Sequence, residues 1–155
     1  MNKLTTEQFS KLKYFIDNAI TESHSKYSTM KGPIKKRLKT QVTPISFENK
    51  ELVEFLCEIA KQDSLKVKNI HLVDYKPGEL FEEHKDLSAL TLVIITQDNF
   101  KGGELYIDGK PVRDFKSNGD YLIFNGQKHP HGLTEITEGL RQTISVFFDE
   151  KISVI

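Results

Sequence analysis

The sequence has little cysteine, no net charge and no long apolar run. Cys57 is its one cysteine, so an internal disulfide is excluded and a cytoplasmic location is favoured. Twenty-two basic side chains balance 22 acidic ones, and no charge excess indicates nucleic acid or an anionic membrane as a partner. The chain lacks the apolar stretch of ~18 residues needed to span a membrane and has no signal-peptide pattern at its start. We therefore expect a soluble cytoplasmic protein with no membrane segment.

The chain has 155 residues, a length that supports one self-sufficient hydrophobic core. Two helices are predicted in its first part. Thr5 and Gln8 have the spacing of a capping box, and apolar residues then recur at helical intervals as far as Ile20. The second helix carries Leu52, Phe55, Leu56 and Ile59 and ends near residues 62–64; Cys57 lies inside it and is interpreted as a small packing residue.

Between the two helices, the segment Ser23–Pro44 shows no periodicity and is predicted to be a solvated loop. It contains a basic cluster, Lys31–Lys39, formed by four lysines and one arginine around a Gly-Pro turn signal. Such clusters are more often solubilising surfaces than binding sites. Whether this one binds a partner is left open.

After residue 64 the sequence changes to short β-rich segments separated by turn signals. The predicted strands are Lys68–Tyr75, Leu80–Asp86, Leu90–Thr96, Gly103–Ile107, Lys110–Val112, Asp120–Phe124, His131–Ile136 and Arg141–Phe148. Asp108-Gly109 predicts a type I′ hairpin. The sequence thus predicts an α+β, mainly β, single domain over residues 1–155, in which residues 1–64 give helical support and a basic loop, and residues 65–155 form a sandwich or barrel.

His84-Lys85-Asp86 is the first segment with a chemical signature. On an extended strand, His84 and Asp86 point to the same side, so both can reach one metal ion. This pair matches the sequence-adjacent half of the 2-His-1-carboxylate facial triad, in which three protein ligands leave the other positions of Fe(II) open.

Candidates for the third metal ligand lie in the segment that contains His129 and His131, and Arg141 follows this segment. Either histidine could supply the third ligand, because the two are separated by two residues and could face the same side of a strand. A guanidinium can grip a carboxylate with two hydrogen bonds. Arg141 therefore has a chemical purpose if the open metal positions hold a 2-oxo diacid.

Six blocks in this order resemble the Fe(II)- and 2-oxoglutarate-dependent dioxygenases, specifically the prolyl-4-hydroxylase-like branch. They are Tyr75-Lys76-Pro77-Gly78 before His84-Lys85-Asp86, Phe100-Lys101-Gly102-Gly103-Glu104-Leu105, Gly119-Asp120-Tyr121-Leu122-Ile123-Phe124, His131-Gly132-Leu133 and Gly139-Leu140-Arg141. The resemblance implies a double-stranded β-helix of the jelly-roll or cupin kind, with N-terminal supporting helices.

The resemblance also implies the site. His84, Asp86 and His131 become the iron ligands, Arg141 binds the distal carboxylate of 2-oxoglutarate, and Tyr75 lines the cosubstrate pocket. O₂ is the second cosubstrate, and ascorbate is a further candidate cofactor. His131 is preferred to His129 because its glycine-hydrophobic continuation and its spacing to the arginine are similar to those of this branch.

The chain departs from the family where some relatives carry a second cosubstrate-binding tyrosine on the strand Leu90–Thr96. Ile94 and Thr96 stand there in this chain, and Thr91 or Ser88 is the candidate substitute. His71, on the strand that ends at Tyr75, is interpreted as a packed or edge histidine.

The resemblance favours a prolyl or other residue in a peptide or protein as the substrate, with a free amino acid or small metabolite as the alternative. Nucleic acid fits less well, because the relatives that repair alkylated bases place arginines where this chain has Thr137 and Thr143. Loops such as Lys76–Leu80 and the basic cluster are candidate walls of the substrate groove. A different class stays open: a cupin-type module that binds a metal or 2-oxoglutarate without turnover. Oligomeric state is not predicted.

Overall fold

A computed structural model describes residues 2–21, 26–28 and 40–149. Within these ranges two α-helices, α1 (Thr6–Asp17) and α2 (Lys50–Ala60), and a short 3-10 helix (Ser64–Lys66) accompany thirteen strands. The strands are β1 (Asn2–Lys3), β2 (Lys26–Ser28), β3 (Thr40–Pro44), β4 (Val67–Tyr75), β5 (Phe81–His84), β6 (Leu90–Gln97), β7 (Phe100–Gly102), β8 (Leu105–Ile107), β9 (Lys110–Pro111), β10 (Asp120–Phe124), β11 (His131–Leu133), β12 (Ile136–Gly139) and β13 (Arg141–Phe148).

The strands form three antiparallel sheets. The large sheet has the order β1-β10-β6-β13-β4-β3-β2, the smaller one has the order β5-β11-β8-β9, and β12 pairs with β7. Strand β13 is central, because it pairs along its whole length with β4 on one side and β6 on the other. The neighbours of β4 and β13 are distant in sequence, so the sheet can form only when the whole domain folds.

The two helices cover one face of the large sheet. Thr5 caps α1 with the capping box expected from its sequence, since its side chain accepts from the Gln8 backbone and the Gln8 side chain accepts from the Thr5 backbone. Leu12 of α1 and Leu56 of α2 are fully buried against strand residues that include Ile144. Among the described residues no helix combines the length and apolarity required to cross a membrane.

Alternation along β13 divides the domain into two faces. Ile144 and Val146 are completely buried in the core under the helices. Arg141, Thr143 and Ser145 point the other way and line a cavity between the large and small sheets. The fold therefore places its functional side chains on the face opposite the helices.

A second apolar cluster joins the two sheets, and several of its residues line this cavity. Ile95 of β6 and Tyr75 of β4 meet Leu105 and Leu133 of the small sheet, together with Phe115 from the connection after β9. The Asp108-Gly109 hairpin turn is confirmed between β8 and β9, where both residues have positive φ, as a type I′ turn requires.

The structure confirms the two helices and most strands, adds the unpredicted strand β1 at Asn2–Lys3, and corrects several other segments. Part of Ser23–Pro44 is strand, because β2 pairs with β3 and β3 pairs with β4. The segment Phe100–Gly102 is strand β7, which was not predicted. His131–Ile136 is two strands, because the chain leaves β8 after Leu133 and pairs with β7 instead from Ile136. The basic cluster Lys31–Lys39 lies outside the described residues.

Candidate metal centre

Three candidate ligands meet at one edge of the small sheet. His84 ends β5 and His131 begins β11, and the two residues are directly paired across the strands. Asp86 does not lie on the strand, which ends two residues before it. Its backbone N–H donates instead to the carbonyl of Gly126 at 2.9 Å, and this bond turns the aspartate back toward both histidines.

The geometry of these groups matches a metal site. Asp86 Oδ1 lies 3.4 Å from His84 Nε2 and 3.3 Å from His131 Nε2, and one ligand atom from each residue falls within 4.8 Å of the others. Adjacent ligands ~2.1 Å from an octahedral ion would be about 3 Å apart. Of the residues that the structure describes, only these three form a group of this kind.

Backbone carbonyls fix the tautomer of each ring. His84 Nδ1 lies 2.7 Å from the Glu82 carbonyl and His131 Nδ1 lies 2.8 Å from the His129 carbonyl. A carbonyl only accepts, so both Nδ1 atoms donate, and in the neutral rings the Nε2 lone pairs face Asp86.

Three acceptor atoms converging on one point require a cation between them. Burial opposes the charge of Asp86, but when the imidazoles also carry a proton on Nε2, hydrogen bonds from His131 and His84 outweigh burial and hold the pKa of the carboxyl well below its usual range. Burial likewise opposes a proton on His131, yet its hydrogen bonds to Asp86 and to the His129 carbonyl raise its pKa. The cluster thus favours bound positive charge, and its donor set of two imidazoles and one carboxylate suits Fe(II).

Aromatic rings hold both histidines in place. Phe81 stacks on His84 with ring centroids 3.7 Å apart, and Phe124 meets His131 edge to face at 4.8 Å. These contacts leave the imidazoles little freedom to rotate away from Asp86.

A cavity of about 480 Å³ opens beside the three ligands. It extends between the sheets from exposed residues at its mouth, Lys68, Asn69, Lys85 and Leu87, to the buried Arg141 at its inner end. Volumes of this size accept small-molecule ligands. One cavity therefore connects the candidate ligands, Arg141 and solvent.

Arg141 is a buried cation without a counter-ion among the described residues. It is 4% exposed, and its Nε atom has no hydrogen-bond partner. Its guanidinium carbon lies 5.7 Å from the ring centres of Tyr75 and Phe100 and 5.8 Å from that of Phe115. Burial lowers the pKa of Arg141 to about 10, so the side chain stays charged at neutral pH.

An unpaired buried charge is expensive unless an anion arrives to share the site. The aromatic rings supply cation–π attraction but no hydrogen-bond acceptor of carboxylate strength. The inner end of the cavity is thus suited to an anionic ligand with a planar group for the guanidinium to grip. A carboxylate meets that requirement.

The structure separates the two distal histidines. His131 belongs to the ligand group, whereas His129 is partly exposed and its Nδ1 contacts Asp108 Oδ2 at 2.9 Å on the β8–β9 turn. Tyr75 is buried on β4 beside Arg141, with which it is paired in register. His71 lines the cavity and packs edge to face on Phe147 at 5.6 Å.

The two candidate substitutes for the missing second tyrosine lie at the cavity, whereas Ile94 and Thr96, which stand where some relatives carry that tyrosine, do not line it. Ser88 and Thr91 line the cavity, and the Thr91 hydroxyl donates to Asp86 Oδ2 at 3.0 Å. Ile94 faces the helices, and the Thr96 hydroxyl donates to Gln142 at 2.8 Å. No residue of the turn Lys76–Leu80 is among the described residues that line this cavity, and its role as a wall or lid of a substrate groove stays a prediction.

Sequence reasoning missed two groups of residues. Gly126, next to Asp86, carried no predicted role, although it opens the segment that holds the distal histidines. Phe100 and Phe115 surround Arg141, and neither had been assigned to the site. The first aromatic belongs to a block of the family resemblance, whereas nothing in the sequence indicated the second.

No protein-family model and no curated protein matches the chain. Several solved structures are similar to it. A prolyl hydroxylase from Trichoplax adhaerens, in complex with a peptide fragment of the hypoxia inducible factor oxygen degradation domain, has a TM-score of 0.65 at 15% identity, covering 97% of this chain and 82% of that one. A viral collagen prolyl hydroxylase from Paramecium bursaria Chlorella virus-1, solved as a 2OG complex, has a TM-score of 0.64 at 14% identity, covering 92% and 91%.

The same fold also matches a protein of another class. A predicted oxalate decarboxylase from Thermotoga maritima has a TM-score of 0.53 at 15% identity and covers 86% of this chain and 96% of that one. At such identities the likeness concerns the fold. The expected double-stranded β-helix core of the cupin and oxygenase kind, with supporting helices, is confirmed.

Proposed function

We propose that this protein is an Fe(II)- and 2-oxoglutarate-dependent dioxygenase that hydroxylates a C–H bond of its substrate. One observation carries the proposal: His84, Asp86 and His131 open onto the same cavity as the buried Arg141, which has no counter-ion among the residues that the structure describes. The three candidate metal ligands alone would be compatible with many metal-binding β-barrel proteins. A buried cation at the inner end of that cavity adds a second requirement, an anionic cosubstrate, which 2-oxoglutarate meets.

In this proposal the two imidazole Nε2 atoms and Asp86 Oδ1 would hold Fe(II). The bound iron, with O₂, would supply the oxidative decarboxylation of 2-oxoglutarate to succinate and CO₂, coupled to insertion of one oxygen atom into a substrate C–H bond. The protein's own residues bind and orient. No side chain has to act as a general acid or base.

Arg141 would hold the distal carboxylate of 2-oxoglutarate, with Tyr75 beside it as a further cosubstrate contact. The rings of Tyr75, Phe100 and Phe115 exclude water from this end of the cavity, which strengthens the ion pair that the guanidinium forms. Binding also removes the cost of a buried unpaired charge. Cosubstrate affinity should therefore depend strongly on Arg141.

A prolyl or other residue in a peptide or protein is the substrate that we propose. The mouth of the cavity is open to solvent at Lys68 and Asn69, so one side chain of a larger molecule could enter while the rest stays outside. The Trichoplax neighbour was solved with a peptide, which supports this class. A free amino acid or small metabolite is the alternative.

The test is a product screen. Iron-loaded protein is incubated with 2-oxoglutarate, ascorbate as reductant, ¹⁸O₂ and separate libraries of proline-containing peptides, other peptides and free amino acids, and products are identified by mass spectrometry. A peptide that gains one ¹⁸O with wild-type protein, and none with His131→Ala, supports the proposal. Labelled products confined to the free amino acids would favour the alternative substrate class.

A second candidate is a non-catalytic cupin-type module that binds metal and 2-oxoglutarate. The fold is shared with a predicted oxalate decarboxylase, so the fold alone does not imply turnover of 2-oxoglutarate. The two candidates differ in one readout. Protein that binds 2-oxoglutarate in the presence of Fe(II) but forms no succinate under O₂ is a binding module.

A further inference from the structure

We infer that Thr91 and Gly126 act together as a support for the Asp86 carboxylate and that Thr91 is a positioning residue of the metal centre. We call this pair the carboxylate support. The inference rests on the proposed function, because it concerns how the same site holds its metal.

The Thr91 hydroxyl contacts the carboxylate oxygen that faces away from the histidines. It donates to Asp86 Oδ2 at 3.0 Å, while Oδ1 is the atom within 3.4 Å of both Nε2 atoms. Thr91 is buried at 4% exposure and lies on β6 in the middle of the large sheet. A rigid strand therefore supplies the donor, so the hydroxyl cannot easily follow the carboxylate if it rotates.

Gly126 provides the space for this arrangement. A Cβ atom at that position would overlap Asp86 Oδ2 and would lie 2.9 Å from Asp86 Cγ and 3.2 Å from His131 Cε1. Gly126 is not among the glycines with positive φ, so its backbone conformation does not require glycine. What requires glycine is the close approach of Asp86.

Asp86 needs this support because it lies beyond the end of β5. Its backbone is anchored by the Gly126 carbonyl, but that bond leaves the side-chain torsions free. The Thr91 hydroxyl removes this freedom and occupies Oδ2, so that Oδ1 alone remains directed at the point between His84 and His131. Donors that orient a metal-binding carboxylate commonly change metal affinity by 10- to 100-fold.

The test measures the affinity of the chelator-treated protein for Mn²⁺ alone, from the free-Mn²⁺ signal in electron paramagnetic resonance titrations. Thr91→Val replaces the hydroxyl by a methyl group of the same shape, and Thr91→Ser restores a hydroxyl. Thr96→Val is the matched control. It removes another buried threonine hydroxyl from β6, at 2% exposure, whose partner is Gln142 and not a candidate ligand.

We expect Thr91→Val and Gly126→Ala to weaken Mn²⁺ binding by about 10- to 100-fold, and Thr91→Ser and Thr96→Val to stay within about 3-fold of wild type. Urea unfolding of each variant shows whether its fold is retained; if Thr91→Val fails to fold, Thr91→Ala takes its place. Wild-type affinity in Thr91→Val, or equal losses in Thr91→Ser and Thr91→Val, would overturn the role of the hydroxyl. Wild-type affinity in Gly126→Ala would overturn the space argument.

These outcomes are distinct from a failure of the proposed function. If wild-type protein binds neither Mn²⁺ nor Fe²⁺, the metal centre itself is wrong. If wild type binds metal, His131→Ala does not, and Thr91→Val binds like wild type, the metal centre stands and only the carboxylate support is refuted.

Discussion

Replacing Arg141 with methionine should stabilise the ligand-free protein while it destroys cosubstrate binding. Methionine keeps a long apolar stem among the aromatic rings but removes the charge. Two opposite effects from one substitution are expected because the guanidinium is buried without a counter-ion among the described residues. A purely structural arginine would produce only a loss of stability.

The size of the stability effect follows from the pKa. Burial lowers the pKa of Arg141 from 12.5 to about 10, and each pKa unit corresponds to about 1.4 kcal/mol. Because the folded-state pKa is the lower one, the charge destabilises the fold throughout the neutral range, and this cost fades only as pH rises above about 10. The cost is on the order of 3 kcal/mol. We therefore expect Arg141→Met to gain up to about that much in free energy of unfolding, less any loss of packing.

The effect on binding has the opposite sign. A carboxylate bound at a buried site without its cation loses about 3–5 kcal/mol, which corresponds to roughly a hundredfold to a few thousandfold weaker binding. Urea unfolding of the ligand-free protein measures the first effect, and calorimetric titration of 2-oxoglutarate into Mn²⁺-loaded protein measures the second. Arg113→Met, at an exposed arginine, should change neither by more than about 0.5 kcal/mol.

Two results would contradict this role of Arg141. If Arg141→Met lowers the free energy of unfolding by 2 kcal/mol or more, the folded chain already supplies an anion to the guanidinium. If 2-oxoglutarate affinity is unchanged, the distal carboxylate does not bind at Arg141.

Three further predictions concern other parts of the molecule. His131→Ala should abolish Mn²⁺ binding, whereas His129→Ala should keep it within about 3-fold, because exposed ion pairs contribute little; the reverse order in metal titrations would exchange their roles. Thr5→Ala should cost about 1 kcal/mol in urea unfolding through loss of the helix cap, and equal cost in the neighbouring Thr6→Ala would contradict the capping assignment. Burial, with a smaller contribution from a nearby aspartate, raises the pKa of the Cys57 thiol, so alkylation by iodoacetamide at pH 8 should be at least 10-fold slower in the native protein than in urea; equal rates would contradict its burial.

Local signals in the sequence predicted the elements that local interactions control. The Thr5–Gln8 capping box and the apolar spacing of both helices depend on residues three or four positions apart, and the structure reproduces them. The hairpin at Asp108-Gly109 likewise depends on two residues that tolerate positive φ. These predictions needed no knowledge of the rest of the fold.

Pairing between distant segments was harder to predict. Strand β3, Thr40–Pro44, has one aliphatic residue and ends in proline, so its sequence carries no β alternation. It is a strand because it pairs with β2 and β4. The predicted strand His131–Ile136 is interrupted after Leu133 because β12 pairs with β7. Strand β7 has three residues and ends in glycine, so its sequence did not indicate a strand.

The sequence indicated which residues form the candidate site but not the contacts that hold them in position. The order of His84, Asp86, His131 and Arg141 in the chain indicated the chemistry. Asp86 was expected on a strand, however, and it reaches the site through a turn held by Gly126. Arg141 has no counter-ion among the described residues, and Thr91 donates a hydrogen bond to Asp86. Both features depend on the tertiary structure, so the spacing of residues along the chain does not predict them.

The central claim is most directly tested by succinate formation from 2-oxoglutarate in purified, iron-loaded protein without added substrate. Slow turnover that requires both Fe(II) and O₂, and that is lost in His131→Ala and in Arg141→Met at low 2-oxoglutarate, is the expected result. Full binding of Fe(II) and 2-oxoglutarate with no succinate, either alone or with the peptide and amino-acid libraries, would contradict the dioxygenase assignment.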